Sequence, residues 1–198
     1  MPKKPYTTKE KLENFLGKTL TNDEADLAIN IAIDIVEELT NRVWVADTVA
    51  TPRKFGGLGT TNLPIDECIE ITEVKRGLTE YGDSHEVMTE GGLYGYFLYP
   101  VNQTPIRALH LRGRLWMRGW GNNIITAKWG YAETVPDDIS YATTVLAGGV
   151  INGNDSQTLN NVKSERIGNY QVTYGGEEGW SAYNRAKLIL SHKKKYVI

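Results

Sequence analysis

Three histidines are the side chains best suited to metal binding, and their spacing does not favour it. His85, His110 and His192 lie far apart, and none has a second metal ligand at helical or strand spacing. Zinc sites in proteins draw their ligands from closely spaced pairs, such as two cysteines two residues apart or two histidines four residues apart. We therefore expect these histidines to be structural or surface residues. We expect no metal site and no cofactor.

Three neighbouring acids invite comparison with the carboxylate pairs that perform acid–base catalysis. Asp66, Glu67 and Glu70 are interspersed with isoleucines in a β-prone stretch, Ile65 to Ile71. This alternation is typical of a strand whose acids are solvated. The interpretation as a structural strand is favoured, because Ile65, Ile69 and Ile71 mark a strand on which the acids are solvated.

Nucleophilic catalysis has equally little support in the sequence. Cys68 is the only cysteine, which excludes a disulfide or a multi-thiolate metal site within one chain. It has no recognisable base partner, and the Gly-x-Ser-x-Gly motif of serine hydrolases is absent. We therefore predict that the protein is not an enzyme. A lone thiol also fits a reducing compartment.

Two glycine-rich stretches resemble phosphate-binding loops only superficially. They are Gly56-Gly57-Leu58-Gly59 and Gly91-Gly92-Leu93-Tyr94-Gly95. A phosphate-binding loop follows a buried strand, opens a helix and, in the P-loop, carries Lys-Ser or Lys-Thr. Neither stretch meets these conditions, so turns in a β-rich region are the better interpretation.

Arginines interleaved with tryptophans could form a basic aromatic face for nucleic acid. The residues are Arg107, Arg112, Arg114, Trp116, Arg118, Trp120 and Trp129. The alternative is a hairpin whose aromatic rings pack inward while its arginines are solvated. The net charge of −2 favours this second interpretation, because nucleic-acid-binding domains are commonly basic.

Composition is that of one globular domain, or of a small domain with an insertion. The chain has 198 residues, of which 40% are hydrophobic and 23% are charged. Its beginning lacks the apolar run of a signal peptide, and its most apolar helical stretch, 25–39, is interrupted by residues that include Asn30, Asp34, Glu37 and Glu38, so we expect no membrane span. We expect the protein to be made and used in a cytoplasm.

The predicted secondary structure changes along the chain from helices to strands and back to helices. Capping boxes, a hydroxyl followed three residues later by a carboxylate, predict helices beginning near Thr7 and Thr21. The second helix, about 23–42, is so apolar that it is expected to meet neighbours on more than one side, possibly another subunit. From Trp44 to Trp129, short β-prone runs between glycines and prolines predict an antiparallel sheet. Helices return after Pro136, followed by a strand and a last helix, 181–193.

The predicted fold class is therefore α+β: a helical bundle module, made of the N- and C-terminal helices, with an inserted antiparallel β-rich domain. The expected boundaries are 1–43 for the first helices and 44–131 for the insertion. Residues 132–198 supply the remaining helices, a strand and a C-terminal arm.

Two segments lack a place in this module and are candidates for partner binding. Residues 152–161 are rich in Asn, Gly and Ser, which is typical of a mobile loop. The chain ends with three lysines followed by apolar residues, and burying such residues is worth about 1.5–3 kcal/mol each. The sequence leaves open whether this end docks on its own fold or on a partner.

The order of motifs resembles the head–tail connector (adaptor) proteins of tailed bacteriophages. The matching segments are the short and long helices at the start, Leu63-Pro64-Ile65 followed by 69–74, a strand ending in Gly130-Tyr131, the helix start Val135-Pro136-Asp137-Asp138-Ile139, and the segment 164–174. The resemblance covers most of the chain, although residues 77–121 contain no family motif.

The resemblance implies a structural virion protein at the head–tail junction. Such proteins form a ring, commonly twelvefold, beneath the portal protein, extend the DNA channel and present a surface to a downstream neck or tail protein. It implies portal docking by the C-terminal arm, here Lys193, Lys194, Lys195, Tyr196, Val197 and Ile198. The residues of the mobile loop that are candidates for binding a partner are Asn152, Gly153, Asn154, Asp155 and Ser156.

Overall fold

The computed structural model describes residues 4–155, 164–167, 170–173 and 182–195. The chain divides into two compact units. Residues 1–42 and 135–198 form the first, called the helical unit below, and residues 43–134 form the second, called the β unit. In chain order the elements are α1 (Lys9–Leu16), α2 (Asn22–Thr40), β1 (Thr51–Gly57), β2 (Asn62–Gly77), β3 (His85–Met88), β4 (Tyr96–Tyr99), β5 (Ile106–Leu111), β6 (Gly119–Trp129), α3 (Asp137–Asp155), β7 (Ser164–Ile167), β8 (Tyr170–Thr173), α4 (Ala182–Leu190) and a 3-10 turn (Ser191–Lys193).

Local capping chemistry sets the ends of the first two helices. The Thr8 hydroxyl accepts from the Lys11 backbone N–H at the start of α1, so the cap lies one residue later than predicted. Gly17 ends α1 in the left-handed conformation, at φ +67°. At α2 the predicted capping box is confirmed: Thr21 and Glu24 each bond the other's backbone N–H.

Helix α3 forms the centre of the helical unit. It packs against α1, α2 and α4, and its side chains are buried around almost the whole circumference from Ile139 to Ile151. A Cβ placed on Gly149 would lie only 2.5 Å from the Ala182 Cβ of α4. The absence of a side chain at Gly149 therefore lets α4 approach α3 closely.

The β unit is built on a six-stranded antiparallel sheet with the order β1-β6-β2-β5-β4, and β3 pairs with β2. Strand β2 organises it, because its first half pairs with β5, its second half with β6 and its end with β3. Its pairing is irregular between Pro64 and Cys68 and again between Cys68 and Glu73. Such irregularities break the strict alternation of faces, so Glu67 and Cys68 are both buried.

The sheet packs around buried aromatic and aliphatic side chains. Trp116 and Trp129 are almost completely buried, and each indole N–H donates to a backbone carbonyl, of Leu109 and Thr51 respectively. These bonds satisfy the polar edge of each ring inside an apolar core. Leu63, Leu109, Leu111 and Ile125 complete the fully buried part of this core.

Strand positions were predicted with uneven success. The β-prone runs 69–71, 93–99, 106–111 and 124–129 predict strands. Ile106–Leu111 is a strand as expected, 69–71 and 124–129 are parts of the longer β2 and β6, and only the second half of 93–99 is a strand, β4. Two strands, β1 and β3, fall where no strand was predicted. The segment 164–173 contains two antiparallel strands where a single strand was expected.

The predicted α+β class with an antiparallel sheet is confirmed. The bundle arrangement and the domain boundaries 1–43, 44–131 and 132–198 stay predictions. Within the described ranges, no helix has the length and apolar character needed to cross a bilayer.

Candidate partner-binding surfaces

The root of the predicted C-terminal arm is fastened to the helical unit. The Lys193 ammonium lies 2.7 Å from a carboxylate oxygen of Asp138, in the first turn of α3. The Lys195 backbone N–H donates to the Thr40 carbonyl at the end of α2, which would otherwise have no intrahelical partner. Lys194 is exposed between them. The remaining arm residues, Tyr196, Val197 and Ile198, lie outside the described part of the chain.

The first residues of the predicted mobile loop belong to helix α3. Helix α3 continues to Asp155, so Asn152, Gly153, Asn154 and Asp155 are helical, and Ser156 lies outside the described residues. Asn and Gly are poor helix formers, but the buried residues preceding them, up to Ile151, hold this end of α3 in place. A role for these residues in partner binding stays a prediction.

The outward face of α2 is unusually apolar for a surface. Leu27 is 58% exposed and Ile31 is 37% exposed, one helical turn apart, while Ile33 lies fully buried on the opposite side. Exposed acids, including Asp23 and Glu38, flank this pair. Helix α2 therefore carries apolar residues on more than one side, and the expectation that its outward side meets a neighbour, possibly another subunit, stays a prediction.

A groove of about 430 Å³ lies between α1 and α3 in the helical unit. Phe15 and Tyr141 form its apolar walls, and both rings are about two-fifths exposed. The Lys11 ammonium donates to the Ser140 hydroxyl at 3.2 Å across it. The groove has one cation, one carboxylate (Asp137) and no cluster of titratable groups, so its surface offers packing rather than acid–base chemistry.

The arginine–tryptophan face proposed as a nucleic-acid surface does not exist as a stacking platform. Trp116 and Trp129 are buried in the core. Arg114 binds both carboxylate oxygens of Glu86 at 2.8 Å, and Arg107 lies 3.3 Å from Glu67. The inward-packing interpretation is confirmed for these two rings, whereas Arg112 and Arg118 are exposed.

Trp120 is the exception, because its side chain is 98% exposed. It belongs to an apolar tip of the β unit, defined here as Leu58, Leu78, Tyr81, Leu115, Met117 and Trp120, all more than one-third exposed. Two buried amides hold the backbone beneath this tip. The Asn122 side chain accepts from the Gly57 N–H and donates to the Thr79 and Met117 carbonyls.

Asn123 continues this amide network. It donates to the Phe55 carbonyl and to the Asn122 side chain, and accepts from the Gly77 N–H. The pair Gly121-Asn122 is typical of a turn, so the sequence does not indicate this network. Burial of two adjacent polar residues in a strand leaves no periodic signal in a sequence.

The acids considered for catalysis are engaged in ion pairs. Asp66 pairs with Arg53 at 2.8 Å, and Glu70 pairs with Lys128. Glu67 was expected to be solvated but is only 6% exposed, because the strand irregularity turns it inward. Among the residues that the structure describes, no three His, Cys, Asp or Glu side chains are grouped so as to hold a metal ion.

Cys68 is a packing residue without nucleophilic character. It is completely buried, and burial, assisted by the Asp66 charge, raises the pKa of its thiol to about 12. At pH 8 the thiolate is thus roughly 1,000-fold less populated than for a thiol of ordinary pKa. We expect the folded protein to react with a thiol-specific disulfide reagent only after urea is added, as followed by absorbance. Rapid reaction of the native protein at pH 8 would contradict this buried position.

Comparison with known proteins reveals a likeness of fold. No protein-family model matches the sequence, and no curated protein matches it at a significant level. Among solved structures, the chain is similar to one in the neck of an empty gene transfer agent (GTA) particle computed with C6 symmetry. The identity is 14% and the TM-score 0.55, covering 96% of this chain and 90% of that one.

Two further structures are similar. One is a chain from the virion of a native GTA particle, with 12% identity, a TM-score of 0.55 and coverage of 96% of this chain and 89% of that one. The other is a chain from the neck of a native GTA particle computed with C12 symmetry, with 14% identity, a TM-score of 0.50 and coverage of 100% and 98%. The resemblance to head–tail connector proteins is thus confirmed at the level of the fold, which this chain shares with chains of virion necks.

Proposed function

We propose that the protein is a structural component of a virion neck. The observation that carries this proposal is the fold likeness to two GTA neck chains, which extends over at least 96% of this chain. A likeness of this extent includes the helical unit and the β unit together. It therefore concerns the whole chain and not one widespread motif within it.

More specifically, the protein acts as an adaptor that forms a ring beneath the portal protein. The ring extends the DNA channel and offers an attachment surface to downstream neck or tail proteins. The C6 and C12 symmetries of the similar necks support a cyclic assembly, with twelve copies as the expected number. The exposed Leu27 and Ile31 also support association, because clustered apolar residues on a surface commonly mark an interaction site.

The portal-binding element is the C-terminal arm, Lys193–Ile198. Its root has a defined position, since Lys193 binds Asp138 and the Lys195 backbone binds Thr40. A short arm with three apolar residues, Tyr196, Val197 and Ile198, binds weakly as a single copy. A ring presents many arms at once, so the effective concentration at the portal compensates for the weakness of each contact.

The end of α3 and the residues after it, Asn152 to Ser156, are the proposed contact for a downstream neck or tail protein. DNA passes near the ring without being specifically bound.

The arm is tested by removing only Tyr196, Val197 and Ile198, which leaves both contacts of its root in place. We expect the truncated protein to keep the circular dichroism and melting temperature of the full chain but to stop co-sedimenting with portal rings. Lys54→Ala, at an exposed position of the β unit outside the arm, serves as the control and is expected to retain full binding. Co-sedimentation of the truncated protein at the level of the full chain would refute portal docking by this arm.

Ring formation is tested by electron microscopy of the purified protein, alone and mixed with its portal. We expect rings coaxial with the portal in the mixture. Particles that never associate with portal rings at any mixing ratio would refute the adaptor function.

A further inference from the structure

Charge is segregated between two helices of the helical unit. Helix α2 contains six acidic residues and no basic one: Asp23, Glu24, Asp26, Asp34, Glu37 and Glu38. The segment from α4 to the arm root contains five basic residues and no acidic one: Arg185, Lys187, Lys193, Lys194 and Lys195. Helix α2 and the segment from α4 to the arm root therefore carry charges of opposite sign.

Both helices also expose apolar side chains beside these charges. On α2 the residues are Leu27 and Ile31, as described above. On α4, Leu188 is 61% exposed on the side opposite Ala186 and Leu190, and the exposed Arg185 and Lys187 flank it. Each face thus combines an apolar centre with charges of one sign, which is typical of protein–protein contacts.

The two faces do not cover each other within one chain. Helix α3 packs extensively against both α2 and α4, whereas α2 and α4 meet only slightly. Ala186 and Leu190 are buried and define the inward side of α4. The outward side of the helix is the one opposite them. The apolar side chains of both faces accordingly remain exposed to solvent.

We propose that the acidic α2 face of one subunit docks on the basic α4 face of a second copy of this chain. Charge complementarity identifies the occupant, since α2 against α2 would place acids opposite acids and α4 against α4 would place bases opposite bases. A contact between two different faces is heterologous and closes into a ring when its rotation allows. The inference rests on the ring proposed above and assigns the surfaces that join its subunits.

The test uses two full-length variants, each with one face inactivated by like charge. Leu27→Lys with Ile31→Lys places cations on α2 opposite the basic face. Lys187→Glu with Leu188→Glu places acids on α4 opposite the acidic face. Each is expected to weaken self-association by roughly 100-fold, because central apolar contacts are replaced by charge repulsion. Sedimentation velocity at rising protein concentration measures the assembly.

Mixing the variants gives the decisive result. Each variant keeps one intact face, so an equimolar mixture should form dimers and nothing larger, whereas either variant alone stays monomeric. High salt should weaken the assembly of the unaltered chain, since exposed charges are screened. The control carries lysines at exposed valines of the β unit, Val49→Lys with Val87→Lys, and should assemble like the unaltered chain.

Other outcomes overturn the assignment. Assembly of either variant alone into higher oligomers, or an unaltered chain that stays monomeric throughout, refutes the α2–α4 contact. Rings seen by electron microscopy in both variants would refute the contact while leaving the neck function intact. Mixed dimers as expected, with no association to portal rings, would uphold the contact and refute the adaptor function.

Discussion

Asn122→Ala is expected to lower the free energy of unfolding of the β unit by about 4 kcal/mol. The side chain is completely buried, and its loss leaves the Gly57 N–H and the Thr79 and Met117 carbonyls without their present partner. It also removes the acceptor of the Asn123 amide. Each stranded buried group costs about 1–3 kcal/mol, and small relaxations recover part of the total.

Urea unfolding followed by tryptophan fluorescence measures this effect. Four of the five tryptophans lie in the β unit, so emission reports chiefly on that unit. Asn62→Ala is the matched control, because Asn62 is exposed on β2 and its side chain makes none of these buried bonds; its change is expected to stay within about 0.5 kcal/mol. Equal unfolding midpoints for the two variants would show that the amide network does not hold the end of the sheet.

The helices of this protein could be predicted well because their determinants are local. A threonine and a glutamate three residues apart define the start of α2, and one glycine defines the end of α1. The periodic apolar residues then indicate which side of α2 is buried. Helix α3 was predicted to end too early, since the packing that holds its last turn is a tertiary effect that outweighs the low helix propensity of Asn and Gly.

The β unit was harder to predict because its determinants are not local. Strand β1 contains a proline and two glycines, which favour turns in isolation, yet it pairs along β6 at the edge of the sheet. An edge position tolerates proline because one side of the strand has no ladder partner. Likewise, Glu67 is buried only because the pairing of β2 is irregular, and no residue in the sequence announces that irregularity.

The candidate surfaces were predictable to different degrees. The apolar excess of α2 was evident from the spacing of Leu27 and Ile31. Its complement on α4 was not recognised, because one exposed leucine, Leu188, beside two basic residues forms no distinct apolar pattern in the sequence. The packing of α4 on α3 through Ala186 and Leu190 identifies the outward side.

Ile139→Ala is expected to destabilise the helical unit by about 3–4 kcal/mol. Ile139 is fully buried in the first turn of α3, the helix on which α1, α2 and α4 all pack. Removing its three terminal carbons loses apolar burial and leaves a cavity that the tightly packed neighbours cannot fill. Thermal unfolding followed by circular dichroism at 222 nm measures the loss, since that signal comes chiefly from the helices.

Ile31→Ala provides the matched comparison within the same unit. Because Ile31 is 37% exposed, the same change should cost less than about 1 kcal/mol of stability. For self-association, measured well below both melting temperatures, we expect the reverse order of effects. Ile31→Ala should weaken self-association, while Ile139→Ala should leave the outward face of α2 intact. If Ile31→Ala reduced stability as much as Ile139→Ala and left assembly unchanged, the outward face of α2 would be part of the folding core instead of a binding surface.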